Sequence, residues 1–292
     1  MKITLIKIVL RFCALLPLPV IHLLGNLLGL TLWLVPGRLQ AVTKKNIALC
    51  LPEITPARQR QLVRRCLQET GKTILETGAL WLRPAPAVLR LIRQVDGIEY
   101  VEDAMASGRG AILATPHLGA WEAAGLYCAA RFNITCLYRP LRMPGLEELV
   151  NRARSRAGGN YVPANARGIR TLYKTLEEGG TVAMLPDQEP QAGTGVFAPF
   201  FGTPAFTMVF LSRLTAKSTA PVVFVWCERL SWGRGYTLHF RQPPQEVYAK
   251  DLATSAAGIN LAVEQCIREC PAQYQWGYKR FRTRPEGLPS LY

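Results

Sequence analysis

Several features that define common protein classes are scarce in this chain of 292 residues. It has only three histidines, its eight cysteines form no Cys-x-x-Cys pair, and no Gly/Ser-rich linker, low-complexity tract or repeat interrupts it. The cysteine pattern argues against a structural zinc site. An apolar content of 49% makes the chain too rich in core residues for a disulfide scaffold. We therefore predict reduced, mostly buried thiols and one large domain.

Acidic residues are also scarce relative to basic ones. The chain has 35 lysines and arginines against 20 aspartates and glutamates, a formal net charge of +15, and only nine of the bases are lysine. Because the planar guanidinium suits bidentate contacts with phosphate and carboxylate, the composition indicates an anionic partner. Nucleic acid, an anionic membrane and a phosphorylated substrate all fit. The plainer alternative is a solvated basic face.

Charge is absent altogether from Phe12 to Val35, where Leu, Ile, Val and Trp dominate. A helix formed by this uncharged segment would be long enough to cross a hydrocarbon core of roughly 30 Å. Pro17 and Pro19 interrupt the run, so a bent hairpin or an interfacial helix fits the segment as well as a straight transmembrane helix does. The alternative is a helix buried in the protein core. We predict an uncleaved membrane anchor over residues 1–36 and a cytoplasmic domain over residues 37–292.

A nucleotide site is not expected. Gly71, Lys72 and Thr73 match the tail of a phosphate-binding P-loop, but such a loop needs glycine where this chain has Cys66, and it has to follow a strand. Residues 52–82 instead have apolar positions at helical spacing, which predicts one or two helices. We predict neither a cofactor nor a metal for this chain.

Beyond residue 96 the sequence alternates between strand and helix patterns. This order predicts an α/β fold in which a mixed, mostly parallel sheet is flanked by helices. Ligands of such sheets bind where strands end and helices begin. The predicted strands are 111–115, 134–139, 161–162, 181–186, 221–227 and 236–241, and the predicted helices between them are 122–131, 146–156, 168–178 and 207–216.

One histidine lies at such a strand-to-helix junction. His22 is in the apolar N-terminal segment and His239 in a predicted strand, which leaves His117, followed five positions later by Glu122. On one continuous helix these two side chains would point about 140° apart, so their cooperation requires a turn between them. The pair then suits acyl transfer to a hydroxyl, with the imidazole as base and the carboxylate holding it. A satisfied, partly buried histidine fits the same pattern.

Further motifs follow the His117-x4-Glu122 block in order. They are Tyr138-Arg139-Pro140, Arg154-x-Arg156, Asp187-Gln188, Phe200-Phe201-Gly202-Thr203-Pro204 and Trp276-x-Tyr278-Lys279-Arg280-Phe281. With the apolar N-terminal segment, the series resembles the late acyltransferases of lipid A biosynthesis, the lauroyl and myristoyl transferase family, over nearly the whole chain. Ala120 departs from it, since relatives often have asparagine there.

The resemblance implies transfer of a fatty acyl chain from an acyl carrier protein thioester to a hydroxyl of an anionic glycolipid, a lipid A precursor. It implies an inner-membrane enzyme with its catalytic domain on the cytoplasmic face and no nucleic-acid partner. His117 would be the general base and Glu122 its orienting acid. The other implied roles are oxyanion or substrate binding for Arg154 first, Arg139 second, Asp187 and Gln188, and phosphate or carrier contact for Arg156, Lys279 and Arg280.

Two other classes stay open. A glycerolipid acyltransferase also places an acid five residues after a histidine, but usually has Asn before the histidine and Asp as the acid, where this chain has Pro116 and Glu122. Its Glu-Gly-Thr-Arg stretch is missing too, because Glu286-Gly287 is followed by Leu288. A noncatalytic basic membrane adaptor would explain the charge and the apolar segment but not the motif series.

Overall fold

The computed structural model describes residues 2–138 and 143–292, which form helices around a central sheet. The helices are α1 (Lys2–Leu15), α2 (Leu18–Leu34), α3 (Arg38–Cys50), α4 (Pro56–Leu82), α5 (Ala85–Leu89), α6 (Glu99–Ala106), α7 (Trp121–Phe132), α8 (Pro144–Ser155), α9 (Ala166–Glu177), α10 (Phe210–Thr215) and α11 (Leu252–Glu269). The strands are β1 (Ile92–Asp96), β2 (Ala111–Ala114), β3 (Thr135–Tyr138), β4 (Asn160–Pro163), β5 (Thr181–Met184), β6 (Gly195–Phe200), β7 (Thr203–Met208), β8 (Val222–Arg229) and β9 (Tyr236–Arg241).

Seven of these strands form one sheet in the order β1-β9-β8-β2-β5-β3-β4. Its strand pairs are parallel except for the antiparallel pair β8–β9. Every residue of β2 and β5 is buried, as expected for central parallel strands covered on both faces. Successive side chains alternate between two core clusters: Ile112 and Ala114 pack in one, Ala111 and Leu113 in the other. The predicted mixed, mostly parallel sheet flanked by helices is confirmed.

Local elements differ from the prediction where strand and helix signals overlap. The predicted helix 207–216 begins only at Phe210, because β7 extends to Met208 and pairs with β6 in a separate hairpin. Ala205 and Thr207 of β7 are buried while their neighbours are less so, a period of two that is typical of a strand. The single long helix α4 covers most of 52–82, and the prediction missed β1 and α11.

The N-terminal helices α1 and α2 both pack against α4. Gly25 and Gly29 of α2 lie so close to the α4 backbone at Lys72 and Gln68 that a Cβ on either would collide with it. Within residues 2–138 and 143–292, no single helix is long and apolar enough to cross a bilayer. Taken together, α2 and α3 meet that length and composition, but they are bent by 85°.

A turn connects β2 to α7, as the sequence requires if His117 and Glu122 are to cooperate. Its hinge is Gly119, with φ +63°. The Gly119 amide donates to the Gln273 carbonyl at 3.1 Å, and the Ala120 amide donates to the Cys227 carbonyl at 2.7 Å. A Cβ on Gly119 would collide with the Cys227 carbonyl. The turn is therefore fixed from β8 on one side and from the C-terminal segment on the other.

Replacing this glycine should be costly for two separable reasons. Gly119→Ala adds a positive-φ penalty and a collision with backbone, and should lower the free energy of unfolding by about 3 kcal/mol or more. Gly108→Ala is the matched control, because Gly108 has φ +71° but a Cβ added there would meet nothing within 4 Å, so it should cost only about 1 kcal/mol. Thermal unfolding of both variants checks this, and equal losses would contradict it.

Candidate active site

His117 and Asp187 are brought together by strand register. The neighbouring parallel strands β2 and β5 pair Ala114 with Met184, and three residues further along each chain are His117 and Asp187. Since the carboxyl ends of parallel strands meet at one edge of a sheet, both side chains lie at that edge. This is the junction where the sequence predicts ligand binding.

The Asp187 carboxylate holds His117 at two points. The imidazole Nδ1 lies 2.8 Å from Asp187 Oδ1, and the backbone amide of His117 donates to Oδ2 at 2.9 Å. Burial alone would raise the pKa of Asp187, but the charge and hydrogen bonds of His117 outweigh it and hold that pKa below its ordinary value. Because an ionised carboxylate only accepts hydrogen bonds, Nδ1 must donate a proton to it, and in the neutral imidazole the lone pair is then on Nε2.

The Nε2 atom of His117 contacts a side chain that lines a cavity. The Gln188 amide donates to His117 Nε2 at 3.3 Å and to Gln275 Oε1 at 3.0 Å. Gln188 also lines a cavity of about 500 Å³ that extends to Tyr278 and Arg282. On the other side, Trp121 packs edge-on against the imidazole, with ring centroids 5.3 Å apart. Through Gln188, His117 Nε2 therefore contacts the wall of a cavity large enough for part of a substrate.

Glu122 pairs with Arg154 in this structure. Arg154 Nη2 donates to Glu122 Oε1 at 2.5 Å and Nε to Oε2 at 3.2 Å, a bidentate ion pair. Burial opposes the charged form of Glu122, but the Arg154 charge and hydrogen bond hold its pKa below the ordinary value. The structure thus differs from the predicted contact between His117 and Glu122: Asp187 occupies Nδ1, and Glu122, in the first turn of α7, meets α8 instead.

The remaining predicted residues separate into distinct surroundings. The Arg156 guanidinium donates to the backbone carbonyls of Arg83, Ala153 and Leu80. Arg280 is only 2% exposed. Its guanidinium donates to Phe206, Thr207 and Asn260, so it binds the core rather than the predicted phosphate. Arg139 lies outside the described residues.

Lys279 lies at a second cavity. With Arg38, Tyr278 and Arg282 it lines a space of about 410 Å³. The two cavities share Tyr278 and Arg282. In the described part of the chain, no three His, Cys, Asp or Glu side chains are grouped so as to hold a metal ion.

The other two histidines contact carboxylates elsewhere in the fold. His22 Nε2 lies 3.2 Å from Glu76. His239 lies between Asp96, at 3.3 Å, and Glu228, at 3.1 Å. His117 is the histidine whose second ring nitrogen contacts Gln188, a residue of the cavity wall.

A buried ion pair that was not predicted from the sequence supports the turn after His117. Arg229 Nη2 donates to Glu76 Oε1 at 2.5 Å and to the Gly119 carbonyl at 2.9 Å. His22 and the Tyr236 hydroxyl contact the other carboxylate oxygen, each at 3.2 Å. Burial opposes the charge on Glu76, but Arg229 and His22 lower its pKa to about 2. The available signal was a charged pair, Glu228 and Arg229, at the end of a run of six apolar residues in the strand "VVFVWCER".

Comparison with known proteins identifies the class of this site. The family described as "Bacterial lipid A biosynthesis acyltransferase" matches residues 2–283. The chain is 31% identical over 278 residues to the lipid A biosynthesis lauroyltransferase of Escherichia coli (strain K12), covering 95% of this chain and 90% of that protein. Two further relatives in the same strain are a palmitoleoyltransferase, 30% identical with the same coverage, and a myristoyltransferase, 24% identical over 243 residues, covering 83% of this chain and 75% of that protein.

The protein is therefore an acyltransferase. It belongs to the bacterial lipid A biosynthesis acyltransferase family, and acts in lipid A and lipopolysaccharide biosynthesis. The resemblance drawn from the ordered motifs is confirmed.

Removing the charge of Glu76 should destabilise the protein strongly. Glu76→Gln leaves the buried Arg229 with only Glu69, 3.6 Å away, as a counter-charge, and breaking such a buried pair typically costs about 3–5 kcal/mol. Glu148→Gln is the control: its pair with Arg152 is exposed, with side-chain exposures of 77% and 78%, and should contribute less than about 1 kcal/mol. Denaturant unfolding of both variants checks this difference.

The same pair predicts a pH dependence. Because the folded pKa of Glu76 is about 2, below the ordinary 4.5, its contribution is fully present above pH 4.5 and is lost as the pH falls toward 2. The stability advantage of the wild type over Glu76→Gln should therefore shrink below pH 4.5. An advantage that is constant across this window would contradict the assignment.

Proposed function

We propose that this enzyme transfers a fatty acyl chain from an acyl carrier protein thioester to a hydroxyl of a phosphorylated glycolipid, a lipid A precursor, with His117 as the general base. The observation that carries the proposal is the bond from Nδ1 to the buried Asp187 carboxylate, which leaves Nε2 in contact with Gln188, a residue of the cavity wall. The names of the relatives supply the acyl and acceptor classes.

The reaction follows from that geometry. The acceptor hydroxyl replaces the Gln188 amide at Nε2 and gives its proton to His117 as its oxygen attacks the thioester carbonyl. The tetrahedral intermediate expels the thiolate, which takes the proton back from the imidazolium. Asp187 stabilises the imidazolium through Nδ1–H and keeps the ring oriented, as the acid does in a Ser-His-Asp triad.

Direct attack by the acceptor, without an acyl-cysteine intermediate, agrees with the burial of the cysteines. All eight are unpaired and buried. Burial raises the pKa of Cys136 to about 11 and that of Cys128 to about 12. Since the thiolate is the reactive form, these residues are poor candidates for an acyl-enzyme nucleophile.

Arg154 is the candidate for stabilising the oxyanion of the intermediate. Its side chain keeps 32% exposure while paired with the less exposed Glu122. In this proposal Glu122 holds the guanidinium in place. It also adds negative charge near the developing imidazolium, since a charge on His117 lowers the pKa of Glu122. Arg139 remains the second candidate on the strength of the resemblance.

The second cavity suits an anion-binding site for the acceptor or the carrier. Arg38, Lys279 and Arg282 give it three basic side chains, and guanidinium and ammonium groups bind phosphate. It adjoins the Gln188 cavity through shared walls. In this proposal a single substrate molecule could place its phosphate there and its hydroxyl at His117.

The outer faces of α1 and α2 support association with the cytoplasmic face of the inner membrane. One side of α2 is buried on α4, while the other exposes large apolar side chains at helical spacing. The exposed residues are Leu5, Ile6, Ile8, Val9, Phe12 and Leu15 of α1 and Val20, Leu23, Leu24, Leu27 and Leu34 of α2. A helix buried on one side and apolar on the other suits an interfacial position in the plane of the bilayer. The anchor predicted over residues 1–36 is therefore proposed to lie in the interface.

Variants of His117 and of its carboxylate partner test the proposed chemistry. His117→Ala should lower kcat by about 100- to 10,000-fold through loss of the base. Asp187→Asn should lower kcat nearly as much, because the carboxylate no longer holds the ring proton on Nδ1. The assay is transfer from acyl carrier protein to a lipid A precursor, read by mass spectrometry as the gain of one acyl chain. Glu228→Gln, which alters the carboxylate beside His239, is the matched control and should keep full activity. Unchanged kcat in His117→Ala would refute the base assignment.

Polar substitutions on the outer face of α2 test the membrane contact. Leu23→Ser with Leu27→Ser should weaken cosedimentation with anionic phospholipid vesicles, because apolar area is the main source of interfacial binding. Leu261→Ser, at a 40% exposed position of α11, is the control for any exposed apolar residue. Wild-type protein that stays in the supernatant at every vesicle concentration would contradict the proposed interface.

A further inference from the structure

The loop between β8 and β9 presents a tryptophan to solvent. Trp232 is 87% exposed, more than any other large apolar residue among those described. Its backbone has φ +61° and ψ +23°, a left-handed conformation that is unfavourable for a bulky residue. Strain of this kind persists only where the surrounding structure imposes it, and it concentrates at functional positions.

The loop around Trp232 is held rigidly. The next residue, Gly233, is buried and packs so closely on the backbone of Pro19 that a Cβ would collide with it. Arg93 Nε donates to the Arg234 carbonyl at 3.0 Å, and the Leu230 amide donates to the Gly235 carbonyl at 2.9 Å. The ring is thus displayed by a fixed frame.

The frame places Trp232 beside the apolar surface of the N-terminal helices. Gly233 contacts the first residues of α2, where α1 ends and α2 begins. Exposed around this junction are Phe12 at 57%, Leu15 at 83% and Val20 at 38%. Two segments far apart in sequence therefore contribute to one apolar edge.

The charge around this edge is of one sign. Arg93 and Arg234 beside the loop are exposed, as is Arg11 on α1. No aspartate or glutamate occurs in residues 1–52 or from Arg229 to Gln245. An apolar edge with a basic rim complements an anionic phospholipid surface, and tryptophan prefers the headgroup level of such a surface.

We propose that Trp232 inserts into the headgroup region of an anionic bilayer as a second membrane contact, at the N-terminal end of α2. This rests on the proposed membrane association and adds its orientation. α2 spans about 25 Å at 1.5 Å per residue, so a contact fixed at its start sets the tilt of the helix, and with it the direction in which the cavity beside Gln188 faces the lipid.

Trp232→Asn isolates the ring from the backbone, because asparagine tolerates the left-handed conformation. Binding to vesicles containing phosphatidylglycerol should become about tenfold weaker through loss of the buried apolar ring. Trp232→Phe should keep most of the binding. Brominated lipids should quench the tryptophan fluorescence of the wild type more than that of Trp232→Phe, since only the wild type has an indole at this depth.

Each outcome separates the two proposals. Wild-type binding that Trp232→Asn leaves unchanged, with equal quenching of wild type and Trp232→Phe, would overturn the Trp232 contact while leaving α1 and α2 as the interface. Failure of the wild type to bind vesicles would overturn both. A dimer in solution that Trp232→Asn dissociates would overturn the lipid assignment, because the occupant of the edge would then be a second copy.

Discussion

The contact between the buried Asp187 carboxylate and His117 is the interaction on which the proposed chemistry depends. One carboxylate receives both the backbone amide and the ring nitrogen of His117, so it fixes the main chain and the tautomer together. A base needs one unprotonated ring nitrogen, and the bond to Asp187 keeps the ring proton on Nδ1 so that Nε2 is that nitrogen. The parallel pairing of β2 with β5 keeps the two residues in register.

The turn that carries His117 is held by a second buried charge pair. Arg229, at the end of β8, binds Glu76 of α4 and the Gly119 carbonyl at once. His22 of α2 binds the same glutamate. The proposed membrane-facing helix, the central sheet and the turn are therefore joined by one polar cluster in an otherwise apolar core. Burying these charges removes their solvation by water, so the cluster is stable only while each charged group keeps its partners.

The sequence allowed prediction of the local parts of this arrangement. His117 at a strand-to-helix junction, a turn before Glu122, and a mostly parallel sheet all follow from periodicity and from the geometry of five-residue spacing. The partner of His117 could not be obtained that way, because Asp187 is 70 positions away and its approach depends on which strands are neighbours. Arg154 and Glu122 meet through the packing of α8 on α7, which is equally nonlocal. Arg280, basic and near the C-terminus, matched a phosphate site by charge alone, whereas packing placed it in the core.

The ring proton of His117 reports directly on the bond between its Nδ1 and Asp187. Nitrogen-edited NMR of protein with ¹⁵N-labelled histidine should show a downfield proton on Nδ1 of His117, assigned by its absence from His117→Ala. We expect this signal to be lost in Asp187→Asn and kept in Glu122→Gln, because the Asp187 carboxylate accepts the hydrogen bond from Nδ1. Loss in Glu122→Gln with retention in Asp187→Asn would contradict this expectation and return the orienting role to Glu122.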